Sequence, residues 1–548
     1  MSRFFVVFFA LVVSAPLVAA EPVNLPPQVK MINEAIEQGW RDFEIRPSPE
    51  ADDLIWCRRV FLDVIGRIPT SAELREFANS KEKDKRAKLI DQLLHDDRYT
   101  QDYASHWATL WTNLLIGRSG GNDRRDMTNR TGMQKYLRDS FAMNKPYNQL
   151  AYELVTATGS TKPGTENFNG AVNFLVNKVN AEKAVLATSS TSRIFLGQQV
   201  QCTQCHNHPF NQWKQQKFWE FNSFFRQTRS LRRFVDGTND VDHAELVDQD
   251  YAGEANDPDD ALVFYELRNG LTKVAYPVFT DGTAIKVSGF VDEVNRREEL
   301  GGLMMESEYL DKMIVNRVWS QFLGFGFTKP IDDLGPHNPS SHPELLNDLG
   351  QEFRKSSYDL KQLITWITLS KPYGLAAVLG SNNEIDDPSI GEMPKFSRFY
   401  LRQMSAEQLY QSMVTASNAS STGSYEQQEQ QRRRWLQQFV VAFGTDEGDE
   451  ATTFNGSIPQ ALMLINGDLT KKAISTANGS FIDRLSKTGR SSRDRLTELF
   501  MAGVARRPVK NEITIASHLL RARGGNEKEM LQDMWWAILN SNEFIMQH

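Results

Sequence analysis

The 548-residue chain is poor in cysteine and histidine, with three and nine residues respectively. So few cysteines in so long a chain exclude a disulfide-rich scaffold. The chain has no long run of basic residues and a formal net charge of −7, which argues against nucleic acid as a partner. It also contains no H-E-x-x-H sequence and no G-x-x-x-x-G-K-[ST] sequence, so no motif indicates a zinc protease or a phosphate-binding loop.

Long apolar runs are scarce, and the one that stands out lies at the start of the chain. Arg3 precedes the apolar run Phe4–Val13, which is too short to span a bilayer, and Val18-Ala19-Ala20 offers small residues for cleavage. This pattern predicts a signal peptide over residues 1–20. We therefore expect a periplasmic or secreted protein without a transmembrane segment.

The remaining sequence predicts a mainly α protein with two helical domains and a small antiparallel β meander inserted between them. The predicted boundaries are residues 21–226 for the first helical domain, 227–299 for the insertion and 300–548 for the second. Within the insertion, residues 236–260 contain ten acidic and no basic residues, which favours a solvated loop. Strands over 262–267, 272–279 and 284–287 are predicted because Asn269-Gly270 and Asp281-Gly282 favour tight turns.

Two sequences resemble capping boxes, in which a hydroxyl and a glutamate three residues later cap a helix start. The first is Thr70 with Glu73, and the second is Ser341 with Glu344. The polar residues Asp332-Asp333 and His337-Asn338 lie near this second helix start, and loop or capping roles are predicted for them.

Two of the three cysteines and two of the nine histidines lie in one short stretch, Cys202-Thr203-Gln204-Cys205-His206-Asn207-His208-Pro209-Phe210. It contains C-x-x-C-H, the attachment signature of c-type haem, in which two thiols bind the porphyrin and the histidine binds the iron. Since c-type haem is attached after export, the predicted signal peptide favours this interpretation. Cofactor binding is therefore predicted at Cys202, Cys205 and His206.

Two other interpretations of this stretch stay open. Cys202, Cys205, His206 and His208 are four metal-ligating side chains in seven residues, so they could bind zinc, iron or copper directly. Alternatively, Cys202 and Cys205 form a disulfide and the histidines are merely polar. His106, beside Trp107, is a further candidate ligand for the haem iron or the metal, although a core role also explains it.

The chain resembles the planctomycete cytochrome-c-like domain of unknown function fused to its usual C-terminal partner domain of unknown function. In the N-terminal half the resemblance rests on Arg58-Arg59-Val60-Phe61-Leu62-Asp63, Pro69-Thr70, His106-Trp107, Phe195-Leu196-Gly197 and the Cys202–Phe210 stretch. In the C-terminal half it rests on Val315-Asn316-Arg317-Val318-Trp319, Gly324-Phe325-Gly326, Pro330-Ile331-Asp332-Asp333, Ser341-His342-Pro343-Glu344, Pro459-Gln460-Ala461-Leu462 and Trp536–Phe544.

Residues and resemblance together predict an exported redox or metal-binding protein that carries haem c or a metal at the motif. Electron transfer with a redox partner protein in the periplasm is the expected role. The alternative is a non-enzymatic envelope or scaffold protein in which the motif is a structural metal site or a disulfide. The sequence assigns neither an enzymatic reaction nor an oligomeric state. In the C-terminal domain the residues selected for inspection are Arg317, Trp319, Asp332, Asp333 and His342.

Overall fold

The fold is taken from a computed structural model that describes most of the chain. The described residues are 25–417 except 119, 122–124, 181, 210, 212 and 381, together with 424, 427, 430, 432–434 and 467–548. The predicted signal peptide, Phe210 of the motif and the Pro459–Leu462 stretch lie outside them.

The described chain is mainly helical, which confirms the predicted fold class. Its α-helices are α1 (Pro27–Asp42), α2 (Asp53–Ile65), α3 (Ser71–Asn79), α4 (Lys85–His95), α5 (Asp97–Ile116), α6 (Arg130–Ala142), α7 (Tyr147–Thr156), α8 (Val185–Leu196), α9 (Gln215–Asn222), α10 (Arg296–Glu306), α11 (Glu308–Leu323), α12 (Pro343–Lys355), α13 (Leu360–Thr368), α14 (Lys371–Gly374), α15 (Ala406–Ala416), α16 (Asp468–Ala473), α17 (Phe481–Ser486), α18 (Ser492–Val504), α19 (Lys510–Ala522), α20 (Glu527–Leu539) and α21 (Asn542–Ile545). Among the described residues, no helix is both long and apolar enough to cross a membrane.

Of the two predicted capping boxes, the structure confirms one. At the start of α3, the Glu73 amide donates to the Thr70 hydroxyl at 3.2 Å and the Thr70 amide donates to the Glu73 carboxylate at 2.7 Å. At α12 the prediction is wrong, because His342 occupies the N-cap position and makes no side-chain capping bond. The Ser341 hydroxyl instead lies 3.0 Å from Nδ1 of His342, so it is not available to the helix start.

The β part is small and antiparallel, but its strands differ from those predicted. The strands are β1 (Gly159–Ser160), β2 (Thr228–Phe234), β3 (Val241–Asp248), β4 (Val263–Glu266), β5 (Thr272–Ala275), β6 (Arg402–Gln403) and β7 (Met546–Gln547). The hairpin β4–β5 forms around Asn269-Gly270 as expected, with Gly270 at a φ of +80°. The predicted third strand is wrong, because residue 284 makes only an isolated bridge to residue 278.

The predicted acidic loop is also partly wrong, because β3 lies inside it. Strand β3 pairs with β2 and β1 in a three-stranded sheet of order β1-β3-β2. Its Ala244 and Leu246 are buried, while His243, Glu245 and Val247 on either side of them are only partly buried. The period-two alternation of a half-buried strand was therefore present in a sequence dominated by charge.

The largest buried cluster includes residues from both halves of the chain. It extends from Val29 in α1 to Tyr400 and joins α5 and α8 to α11 and α13. A second cluster runs from Met404 to Ile545 and also takes in Leu62 of α2. The predicted domain boundaries stay a prediction, since the described hydrophobic core is shared across the boundary at residue 300.

Buried polar contacts also connect the two halves. In α2, Arg58 is 2% exposed and donates to the carbonyl of Phe544 at 2.7 Å. Asp63, 1% exposed, accepts a hydrogen bond from the Tyr373 hydroxyl at 2.8 Å and forms an ion pair with Arg402. The Arg-Arg-Val-Phe-Leu-Asp stretch thus joins the first part of the chain to its last helix and strand.

Candidate functional site

The motif begins where α8 ends. Gly197 adopts a φ of +62° after the last residue of α8, which reverses the chain and leads into a 3₁₀ turn over Gln201–Gln204. Within this turn the amide of Thr203 donates to the carbonyl of Val200 at 2.9 Å, and its hydroxyl donates to the same carbonyl at 2.6 Å. Thr203 is fully buried at the inner side of the turn. Cys202 and Cys205 are exposed, and both are free thiols.

The two motif histidines differ in the state of their ring nitrogens. Nδ1 of His206 lies 2.7 Å from the carbonyl oxygen of Asn207. Since a carbonyl only accepts, this Nδ1 carries a proton, and in the neutral imidazole Nε2 then has the free lone pair of a metal-binding histidine. In contrast, Nδ1 of His208 accepts the amide hydrogen of Asn211 at 3.1 Å, so its lone pair is already in use.

Side chains of α9 and of the β4–β5 hairpin hold the motif turn in place. Gln215 of α9 donates to the carbonyl of Gln204 at 3.1 Å and to that of Glu266 in β4 at 2.9 Å. Trp219 also donates to the carbonyl of Gln204 at 3.1 Å, and its ring stacks on Tyr265 with centroids 6.1 Å apart. The hairpin and α9 therefore fix the position of Gln204, the residue directly before Cys205.

The C-terminal half also contacts the segment that leads into the motif, through the loop of residues 330–338. Asp332 accepts hydrogen bonds from Arg193 at 3.1 Å and from Gln199 at 2.9 Å. The amide of Leu334 donates to the carbonyl of Gly197 at 2.6 Å. Sequence reasoning predicted only loop or capping roles for this segment, and no local pattern indicated that it contacts the motif.

The same loop brings a third histidine to the motif. The ring centroids of His337 and His208 lie 6.5 Å apart. Nε2 of His337 lies 3.0 Å from a carboxylate oxygen of Asp333, which only accepts when ionised, so this nitrogen is the protonated one. In the neutral imidazole the other ring nitrogen, Nδ1, then has the lone pair.

His106 occupies a different environment, in α5 against the end of α2. A Cβ placed on Gly66 would lie 2.4 Å from Nδ1 of His106, which shows how closely the ring packs on the backbone there. Burial lowers the pKa of His106 to about 4, a shift that a hydrogen bond to the backbone of Asp63 opposes. The structure therefore places the ring of His106 against the end of α2, and its role as a ligand stays a prediction.

The other residues selected in the C-terminal half serve the core. Trp319 is fully buried and stacks on Phe327 with ring centroids 4.4 Å apart. His342 packs against the rings of Phe327 and Phe396 at 6.1 and 5.7 Å, and burial lowers its pKa to about 4. Arg317 is half-buried and lies in α11, two residues before Trp319. Of this selection, Asp332 contacts Arg193 and Gln199 just before the motif, and Asp333 contacts His337.

The side chains around the motif do not surround a common point. Within the described part of the chain, no three or more His, Cys, Asp or Glu side chains come together in a way that could hold a metal ion. The arrangement is instead a surface turn with two thiols, followed by a histidine with one free ring nitrogen. It can present these three groups to a ligand that is broader than a single ion.

The fold and this site define a mainly helical protein whose N-terminal and C-terminal halves share a core and meet at a surface C-x-x-C-H turn. Residues 31–230 match the PSCyt2 family, a protein of unknown function (DUF1549), and residues 296–520 match the PSD1 family, a protein of unknown function (DUF1553). The predicted fusion of two domains of unknown function is thereby confirmed. No curated protein and no solved structure matches the chain.

Proposed function

We propose that this protein is an exported electron-transfer protein that carries a c-type haem on Cys202 and Cys205, with His206 as ligand to the iron. Cys202 and Cys205 would hold the porphyrin through thioether bonds to its two vinyl groups, with each thiol hydrogen retained on the second vinyl carbon. A haem held in this way supplies a one-electron Fe(III)/Fe(II) couple. A redox protein in the same compartment would donate or accept the electron.

The observation that carries this proposal is the arrangement of the three groups on the turn. Both thiols are exposed and therefore accessible to a porphyrin and to the attachment machinery. The hydrogen bond from Nδ1 of His206 to Asn207 at 2.7 Å leaves Nε2 free for the iron. Histidines that bind metals commonly donate their second ring hydrogen in this way.

The same geometry argues against a mononuclear site built from all four motif side chains. Such a site needs its ligands within about 2.0–2.3 Å of one point. No such convergence exists among the described residues, and Nδ1 of His208 is occupied by the amide of Asn211. Haem attachment has no such requirement, because the two thiols bind the edge of the porphyrin and only the histidine binds the iron.

The proposal is tested by expressing the full chain together with haem-maturation machinery. The purified protein is expected to show a haemochrome spectrum and an intact mass increased by one haem. Cys202→Ala and Cys205→Ala should each weaken or abolish covalent attachment. Cys57→Ala is the matched control, because Cys57 is fully buried in α2 and should leave the haem unaffected.

Each other outcome selects a different interpretation. A colourless protein that binds one equivalent of zinc, iron or copper through Cys202 and Cys205 would overturn the haem proposal in favour of a metal site. A colourless protein whose mass is lower by two hydrogens would indicate a Cys202–Cys205 disulfide and a scaffold role.

A further inference from the structure

We infer that the outer edge of β2, over residues 231–234, is a docking site for an extended, acidic strand of another protein. Strand β2 lies at one end of the sheet of order β1-β3-β2, so one of its edges has no neighbouring strand in the described sheet. An extended segment adds to such an edge through backbone hydrogen bonds, and the side chains then select the segment. This inference goes beyond the proposed function and does not depend on a cofactor at the motif.

The contacts of Ser230 establish which backbone groups of β2 face outward. The amide of Ser230 donates to the side-chain oxygen of Asn180 at 3.0 Å, and Nδ2 of Asn180 donates to the carbonyl of Ser230 at 2.8 Å. A neighbouring strand would make the same two bonds, so Asn180 covers the edge at this residue. Because inward and outward groups alternate along an antiparallel strand, Arg232 also directs its N–H and C=O outward.

The opposite residue in β3 supports this orientation of Arg232. Arg232 lies opposite Ala244. The amide of Ala244 donates to the hydroxyl of Thr161 at 3.0 Å, and its carbonyl accepts from the amide of Thr161 at 2.9 Å. Both groups of Ala244 therefore face away from β2. Within the described part of the chain, no hydrogen bond from outside the β2–β3 pair reaches the backbone of Arg232. The edge is thus covered at Ser230 and open from Arg232 onward.

The side chains along the open edge are exposed and partly apolar. All four residues of β2 that follow Ser230 are exposed. Leu231 is 37% and Phe234 is 52% exposed, whereas Thr228 and Ser230 in the first half of the strand are buried. An added strand would cover part of this apolar surface, so the hydrophobic effect would contribute to docking.

The charges along β2 favour an acidic partner. Arg233 forms an ion pair with Glu245 at 2.7 Å. Arg232 is exposed and forms no ion pair with any described residue. The guanidinium of Arg229 donates to two backbone carbonyls, at 3.1 and 2.9 Å. Carbonyls do not neutralise a charge, so the strand keeps positive charge that carboxylates of a partner would compensate.

A second copy of the chain fits this edge less well than an acidic partner does. If two copies of β2 paired antiparallel about Arg232, the two guanidinium groups would lie directly opposite each other, and like charges in that position are destabilising. A carboxylate in the same position forms a favourable cross-strand pair. The partner is therefore an extended segment in which acidic and apolar side chains alternate, with an acidic residue opposite Arg232 and an apolar one opposite Leu231.

Fluorescence anisotropy with labelled synthetic peptides tests this inference on the full chain at low salt. A peptide of alternating glutamate and valine is expected to bind, and the matched peptide of alternating lysine and valine is not. With a glutamate opposite Arg232, the backbone groups of the glutamates face β2. Methylation of the glutamate backbone nitrogens should therefore abolish binding, whereas methylation of the valine backbone nitrogens should not.

Three variants of the chain separate the charge from the backbone edge. Arg232→Ala should weaken binding of the glutamate peptide by about two- to fivefold, because it removes one cross-strand charge pair. Arg232→Pro also removes the outward N–H, a change that an edge strand tolerates, and should weaken binding by about a further fivefold. Lys273→Ala is the control, because Lys273 is an exposed basic residue of the other hairpin, in β5, and binding should be unchanged.

Four results would overturn the inference. Equal binding of the two methylated peptides, or equal weakening by Arg232→Ala and Arg232→Pro, would show a purely electrostatic contact without strand addition. Equal binding of the lysine peptide would refute the preference for an acidic partner, and absence of binding by every peptide would refute the site. A dimer in analytical ultracentrifugation that Arg232→Pro abolishes would make a second copy the occupant. Each of these results leaves the proposed function untouched, since the peptides are tested without reference to the motif.

Discussion

Removal of the Asp63 carboxylate is expected to be among the most damaging single changes to this fold. Asp63 is 1% exposed, and its partners Tyr373 and Arg402 both belong to the C-terminal half. The substitution Asp63→Ala leaves the guanidinium of Arg402 and the hydroxyl of Tyr373 without this acceptor. Burial raises the pKa of Asp63 although Arg402 opposes the shift, so the ion pair offsets only part of the desolvation cost of the carboxylate.

The expected loss follows from the cost of an uncompensated buried charge. Removing one partner of a buried ion pair costs about 3–5 kcal/mol, and leaving a buried hydroxyl unpaired costs about 1–3 kcal/mol. These terms share the same carboxylate and do not add fully, so we expect the free energy of unfolding to fall by about 3–5 kcal/mol. This is a large fraction of the stability of an ordinary domain, which is about 5–15 kcal/mol.

Urea unfolding followed by circular dichroism measures this loss against a matched control. Asp139→Ala removes one partner of the Lys135–Asp139 pair, whose side chains are 48% and 46% exposed, and should cost less than about 1 kcal/mol. The double variant Asp63→Leu with Arg402→Met removes both charges and should recover part of the loss. Equal shifts for Asp63→Ala and Asp139→Ala would refute the reasoning.

Three further predictions concern the turn, the buried histidine and the thiols. Gly197→Ala should lower the free energy of unfolding by about 1–3 kcal/mol, because its Cβ would lie 2.8 Å from both Leu334 and Met313 and overpack the junction between the halves. His106 stays neutral in the fold because burial lowers its pKa to about 4, whereas the unfolded chain protonates near the ordinary value of 6.5. Stability is therefore complete above about pH 6.5 and should fall by up to about 3 kcal/mol as the pH drops towards 4, and His106→Asn should reduce this dependence in urea titrations. In the haem-free native protein, a thiol reagent should modify two of the three cysteines, and Cys57 should react only after unfolding, because it is fully buried and burial raises its pKa.

Each of these predictions has a control in the chain. Gly237 also has a positive φ, of +72°, but a Cβ there would meet no atom within 4 Å, so Gly237→Ala should cost less than Gly197→Ala. His518 is exposed, so His518→Asn should leave the pH dependence unchanged. Modification of all three thiols in the native state would contradict the burial of Cys57.

Local features of the fold were predictable because each depends on a few neighbouring residues. The capping box of Thr70 and Glu73, the left-handed Gly197 at the end of α8 and the hairpin at Asn269-Gly270 all follow from short-range backbone chemistry. Strand β3 was missed because its acidic residues masked a two-residue alternation, and the capping box at Ser341 was wrong because the hydroxyl found a closer partner in His342.

The sequence by itself determined where the chemistry of this protein is concentrated, because the spacing of Cys202, Cys205 and His206 is a local property. Only the tertiary structure decided what surrounds it. Asp332 lies 139 residues from its partner Arg193, and Arg402 lies 339 residues from Asp63. Such pairs form when helices pack around a shared core, and no local periodicity records them. For the same reason, the sequence did not show that His106 is buried against α2, or that the ring of His337 lies 6.5 Å from that of His208.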